Sequence, residues 1–153
     1  MAPPKESLRQ RNRRAARDAV LDAAERLLKS SSTADFSMRA LAAEAGVGFA
    51  TPFNHFKSKT EIMRAISSRL IDRMSASFLA KREGGDLIDR AMAMCDVTVN
   101  LILKQPDVHR AVIGSLGIAS DTPSAAMLRS KSLWGMVLNE TEGGIMHDAA
   151  NDS

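Results

Sequence analysis

Three histidines, one cysteine and a scatter of carboxylates are the residues through which this chain could catalyse a reaction. His55, His109 and His147 lie far apart, and no Cys/His spacing fits a zinc site. No G-x-S-x-G elbow is present. The "GVG" at 46–48 extends into neither a G-x-G-x-x-G fingerprint nor a P-loop. Asp86 and Asp89 read as helix caps, and Cys95, on an apolar face, reads as a core residue. No catalytic residue, metal ligand or cofactor is expected. The dense stretch is instead "GVGFATPFNHFKSK", residues 46 to 59. Two glycines, a proline, three phenylalanines, a histidine and two lysines crowd its fourteen positions, which is a repertoire for binding rather than turnover.

The whole chain sets the context. At 44% hydrophobic and 25% charged residues it is globular in composition. No apolar run reaches the ~18 residues of a membrane span. The basic start "MAPPKESLRQRNRRAARD" is not followed by the apolar segment of a secretory signal. A single cysteine excludes an internal disulfide framework. A cytoplasmic protein without membrane contact is expected. Charge is uneven: residues 1–60 hold 11 Lys/Arg against 6 Asp/Glu, a net of +5, and the remainder nets −2. "KESLRQRNRRAAR" alone carries six cations and one glutamate. A basic arm on a mildly acidic body suits a polyanion at the N-terminal end, although a solvated tail has the same composition.

Helical spacing dominates the elements that must position these residues. The first helix is expected from about 8 to 29, with Ala16, Ala19, Val20, Ala23, Ala24, Leu27 and Leu28 on one face. Ser37 caps a second helix, and Gly46 stops it in a left-handed turn. A short third helix spans roughly 48 to 54. Ser58 and Glu61 form a capping box for a fourth, which runs through Ile62, Ile66, Leu70, Met74 and Phe78 to about 82. Asp86 caps a fifth, apolar at Leu87, Ala91, Met94 or Cys95, Thr98, Leu101 and Ile102. A sixth covers about 106 to 117, and Thr122–Pro123 opens a seventh that lasts to about 140. The fold class is therefore all-α. Its first three helices form a helix-turn-helix unit, because "ALAAEAGV" supplies a small residue, Ala42, where the helices approach and a glycine at the turn. Leu41, Ala45, Val47 and Pro52 supply apolar contacts to the first helix.

"FSMRALAAEAGVGFATPFNHFKSKTEIMRAI" resembles the DNA-binding domain of the tetracycline-repressor (TetR) family of bacterial transcription regulators. The resemblance covers about residues 13 to 66. It rests on Ser37, Ala42, Gly46, Val47, Thr51, an aromatic at 53, His55, Phe56, Lys59 and an acid at 61. It implies a helix-turn-helix domain at 1–60 with a basic arm and a helical effector and dimerisation body at 61–153. It further implies a homodimeric repressor, a double-stranded DNA operator and a small-molecule effector. The third helix would enter the major groove. Gly48 would allow close backbone approach, while Phe49 and Thr51 would meet base edges or a thymine methyl. Asn54 and His55 would hold phosphates, as would Lys59 beside free N–H groups at the start of the fourth helix. Ser37 and Arg39 would do the same from the second helix, with Arg39 able to reach a base. Phe56 would wedge into the core.

Two departures stand out. Phe53 occupies a position usually held by tyrosine, whose hydroxyl touches a phosphate, and Pro52 removes an N–H early in the third helix. Phe78, Met94, Cys95, Thr98 and Trp134 are the candidates for lining an effector pocket. "NETEGGIMHDAANDS" resembles the connector that precedes the family's eighth helix, so the usual two-helix dimer interface is expected to be missing. The alternative reading is a helical ligand-binding or interaction module with weak or no specific DNA binding.

Overall fold

The computed structural model describes residues 7–31, 35–81, 86–116, 130–135, 137 and 138. Every regular element among them is an α-helix: α1 (Leu8–Ser30), α2 (Met38–Glu44), α3 (Ala50–His55), α4 (Lys59–Lys81), α5 (Leu87–Lys104) and α6 (Pro106–Leu116). Residues 130–135, 137 and 138 are helical too. The expected start of a seventh helix at Thr122–Pro123 lies outside the described residues. No described helix is long and apolar enough to cross a membrane.

Local chemistry explains most of the boundaries. Ser7 and Gln10 close a reciprocal capping box at the start of α1, and Asp86 and Asp89 close another at α5. The Ser37 hydroxyl oxygen accepts the Ala40 N–H at 3.1 Å, which satisfies one of α2's unpaired donors. Gly46 adopts φ +66° just beyond α2, and Val47 N–H bonds the Ala42 carbonyl at 3.1 Å. The box expected at Ser58 forms by half. Ser58 Oγ accepts the Glu61 N–H at 3.2 Å, but the Glu61 carboxylate accepts from the Lys57 amide at 2.6 Å, one residue further back.

The chain divides into two compact units. The first runs to Ile66 and includes α6 from Asp107. In it α1, α2 and α3 pack on one another around Val20, Leu21, Ala23, Ala24, Leu28, Leu41, Ala42 and Phe56. Pro52 is buried, Ala45 and Val47 are half-buried, and Ile62, Met63 and Ile66 of α4 are also buried. Arg26 ties α1 to the end of α2. Its Nε lies 2.5 Å from Glu44 Oε1, and its Nη2 donates to the Glu44 carbonyl at 3.1 Å, a cation suited to a helix C-terminus.

The second unit holds α4 from Ser67, α5 and the helical residues 130–135, 137 and 138. Its core is Phe78, Met94, Leu133 and Val137, flanked by Ile71, Met74, Ala91 and Ala93. One expectation is overturned here: Cys95 is exposed rather than in the core. Met94 and Val97 take the buried face of α5, while Ile88, Met92, Cys95, Val99 and Leu103 form an outward row. At 100° per residue, residue 95 lies about a quarter-turn round from residue 94. Only one of the two can point inward, and the larger methionine does.

Candidate nucleic-acid interface

The short α3 presents its side chains in two directions. Pro52 and, just past the helix, Phe56 face inward, with Phe56 only 1% exposed, as expected for a core wedge. Phe49, Ala50, Phe53 and Asn54 face solvent, and Thr51 and His55 lie half-buried between the two sides. The helix starts at Ala50 rather than 48, and Pro52 is its third residue. The first four N–H groups of a helix have no internal acceptor, so the donor that proline lacks is one the helix does not use. Phe56 N–H closes the far end on the Pro52 carbonyl at 2.8 Å.

Phe49 and Phe53 touch. Their ring centroids are 5.5 Å apart at an interplanar angle of 64°, an edge-to-face pair one helical turn apart. Both remain exposed, at 57% and 46%. Gly48 is exposed beside them. A Cβ there would meet only Thr51 Oγ1, at an ordinary 3.8 Å, and its φ is not left-handed. The internal structure therefore does not demand glycine at 48. At 46 it does, through the backbone conformation alone, because a Cβ there would meet nothing within 4 Å.

The cations fall into two sets. The expected basic arm is largely the first half of α1, where Arg9, Arg11, Arg13, Arg14 and Arg17 are all exposed. Arg17 places its guanidinium 4.9 Å from the centroid of Phe56. Burial holds the His55 pKa below its ordinary 6.5, and the positive charges of Arg13 and Arg17 lower it further. Reading the arm as an undivided block of charge missed this contact. The signal for it is the i, i+4 spacing of residues 13 and 17 within the helical pattern.

The second set gathers where α2 and α4 begin. Lys59 forms an ion pair with Asp35, and its Nζ lies 5.0 Å from the centroid of the Phe36 ring. Burial lowers the Lys59 pKa. The touching carboxylate acts the other way, and at ion-pair contact it keeps the ammonium charged. The Asp35 pairing was not foreseen. Arg39 and Lys57 are exposed nearby in sequence. Ser37 accepts a cap bond through its oxygen, which leaves its hydroxyl proton available to an acceptor.

Of the five expected pocket residues, Phe78 and Met94 share the second unit's core. Thr98 is half-buried, and its hydroxyl donates to the Met94 carbonyl at 2.8 Å. Cys95 and Trp134 are exposed. Among the described residues, no group of three or more His, Cys, Asp or Glu could hold a metal ion.

Known proteins resemble this chain in its N-terminal segment and in its fold. Residues 20–66 match the family model for bacterial regulatory proteins, tetR family. No curated protein matches the sequence. Among solved structures, a TetR transcriptional regulator from Rhodococcus sp. RHA1 superposes with a TM-score of 0.69 at 24% identity, over 86% of this chain and 71% of that one. A TetR family transcription regulator from Marinobacter aquaeolei VT8 superposes at 0.61 and 23% identity, over 92% of this chain and 73% of its own. At these identities the likeness is one of fold.

Proposed function

From the tetR-family N-terminal domain at residues 20–66, set in a chain with the fold of tetR-family regulators, we infer a DNA-binding transcriptional regulator. It acts as a repressor on a double-stranded operator and is released when a small molecule binds its helical body. Residues 1–60 serve as the DNA-binding part and 61–153 as the regulatory part. The observation that carries this reading is the outer surface of α3. There the exposed side chains of Phe49, Phe53 and Asn54 and a glycine the fold does not need accompany the cations of α1 and of the α2 and α4 starts.

Each residue then has a role. Gly48 lets the backbone approach the groove, and Phe49 and Thr51 meet base edges. Ser37, Asn54, His55 and Lys59 hold phosphates, which fixes register but carries no sequence information. Arg39 reaches a phosphate or a base. Phe53 contributes its ring without a hydroxyl donor. Phe78, Met94 and Thr98 line the effector site, where a ligand would have to part the packing of Leu133 and Val137. Cys95 and Trp134, being exposed, are left out of that lining.

Regulation at nanomolar affinity requires two copies. About −12 kcal/mol shared by two half-sites leaves roughly −6 for one, a dissociation constant on the order of 10⁻⁵–10⁻⁴ M, the level of non-specific binding. Sedimentation equilibrium at micromolar concentration should show a homodimer. Gel shift and footprinting on the DNA upstream of the chain's own gene test the central claim. A protected site should appear, and affinity should fall about 10³-fold or more between 50 and 200 mM salt if six phosphates are neutralised. Absence of a footprint, or salt-insensitive binding, refutes the reading.

A further inference from the structure

We propose that this chain reads DNA through 5-methyl groups, with the Phe49–Phe53 pair as an apolar reader of thymine methyls in the major groove. The inference rests on the DNA-binding reading and specifies what α3 recognises. Of the side chains that α3 and its lead-in expose, Phe49, Ala50, Phe53 and Asn54, only Asn54 bears a hydrogen-bonding group. Pro52 is buried and lacks an N–H, and the two other polar side chains of α3, Thr51 and His55, are half-buried. Hydrogen-bond discrimination in the major groove needs donors and acceptors matched to each base edge. A surface with so few of them can tell base pairs apart chiefly by the one apolar group the groove offers, the C5 methyl of thymine.

The aromatic pair is built for that task. The two rings pack edge to face at 5.5 Å, so each restricts the other while both stay exposed. Little side-chain freedom remains to be lost when they meet a methyl. A tyrosine at 53 would direct a hydroxyl outward, whereas Phe53 extends the apolar surface by a second ring. Burying one methyl strengthens binding about fourfold. Two methyls, one under each ring, therefore give on the order of tenfold per half-site.

The test replaces thymine with deoxyuridine, which removes the methyl and leaves every hydrogen-bonding group in place. A preferred duplex is first selected from a randomised pool with the full chain. It is then synthesised with thymine, or with deoxyuridine at every thymine position. The native chain should bind the deoxyuridine duplex about tenfold or more weakly. Phe49→Ala/Phe53→Ala, confirmed folded by circular dichroism, should bind the two duplexes equally, which rules out a change in DNA shape as the cause. A selected site without thymine, or equal native affinity for the two duplexes, overturns the methyl reading and leaves the regulator reading standing. If the chain binds no duplex of any sequence at 50 mM salt, the regulator reading falls and this inference falls with it.

Discussion

Gly46 and Gly48 lie two residues apart, yet the structure gives them opposite tasks, and alanine at each separates fold from function. At Gly46 the backbone sits at φ +66°, and a methyl would meet no atom within 4 Å. Gly46→Ala therefore carries no steric term. Its cost is the left-handed conformation alone, about 1–2 kcal/mol. For a chain of this size that lowers Tm by about 2–8 °C. Gly46→Asn should cost less, because asparagine tolerates this region. At Gly48 the φ is ordinary and the nearest contact of a new methyl is 3.8 Å. Gly48→Ala should leave stability unchanged or raise it by about 0.4–1 kcal/mol, through lost freedom in the unfolded chain. If DNA approaches here, the same methyl holds the backbone off and removes about one contact, worth ~1 kcal/mol or five- to tenfold in affinity. Urea denaturation followed by circular dichroism reads the first quantity, and fluorescence anisotropy on the footprinted duplex reads the second. The reasoning fails if Gly46→Ala is neutral. It fails equally if Gly48→Ala destabilises the fold by more than about 1 kcal/mol, or binds DNA as tightly as the native chain.

The folded-state pKa of His55 lies below 6.5, so the unfolded chain takes up the proton first. Stability should be fully present above about pH 6.5 and decline as pH falls toward the lower folded value; His55→Gln should flatten that part of the pH–stability curve. Asp35→Asn releases Lys59 from its carboxylate; if Lys59 serves a phosphate, affinity should rise a fewfold on all sequences alike, and a change confined to the preferred sequence would show that it touches a base. Phe56→Ala empties a site 1% exposed beneath Arg17 and should cost about 3–5 kcal/mol in chemical denaturation, with DNA binding lost only in proportion to unfolding.

Much of the local structure follows from short-range sequence. Ser37 caps α2, Gly46 ends it, and Asp86 with Asp89 opens α5, because each of these interactions closes within three or four residues. Phe56 is legible as core because the residues around it form a dense motif. The matched family segment, residues 20–66, spans the signals at Ser37, Gly46 and Phe56. Tertiary structure decided the rest. The apolar arc of α5 is wide enough to hold both residues, so its periodicity does not choose between Met94 and Cys95; the packing of Phe78, Leu133 and Val137 does. The pairing of Lys59 with Asp35 spans 24 residues and exists only once α2 and α4 begin side by side. The charges that depress His55 come from Arg13 and Arg17 on α1, some forty residues away. Caps and turns are set by a residue and its neighbours. A buried face, an ion pair or a shifted pKa depends on what lies opposite, and only the folded chain brings it there.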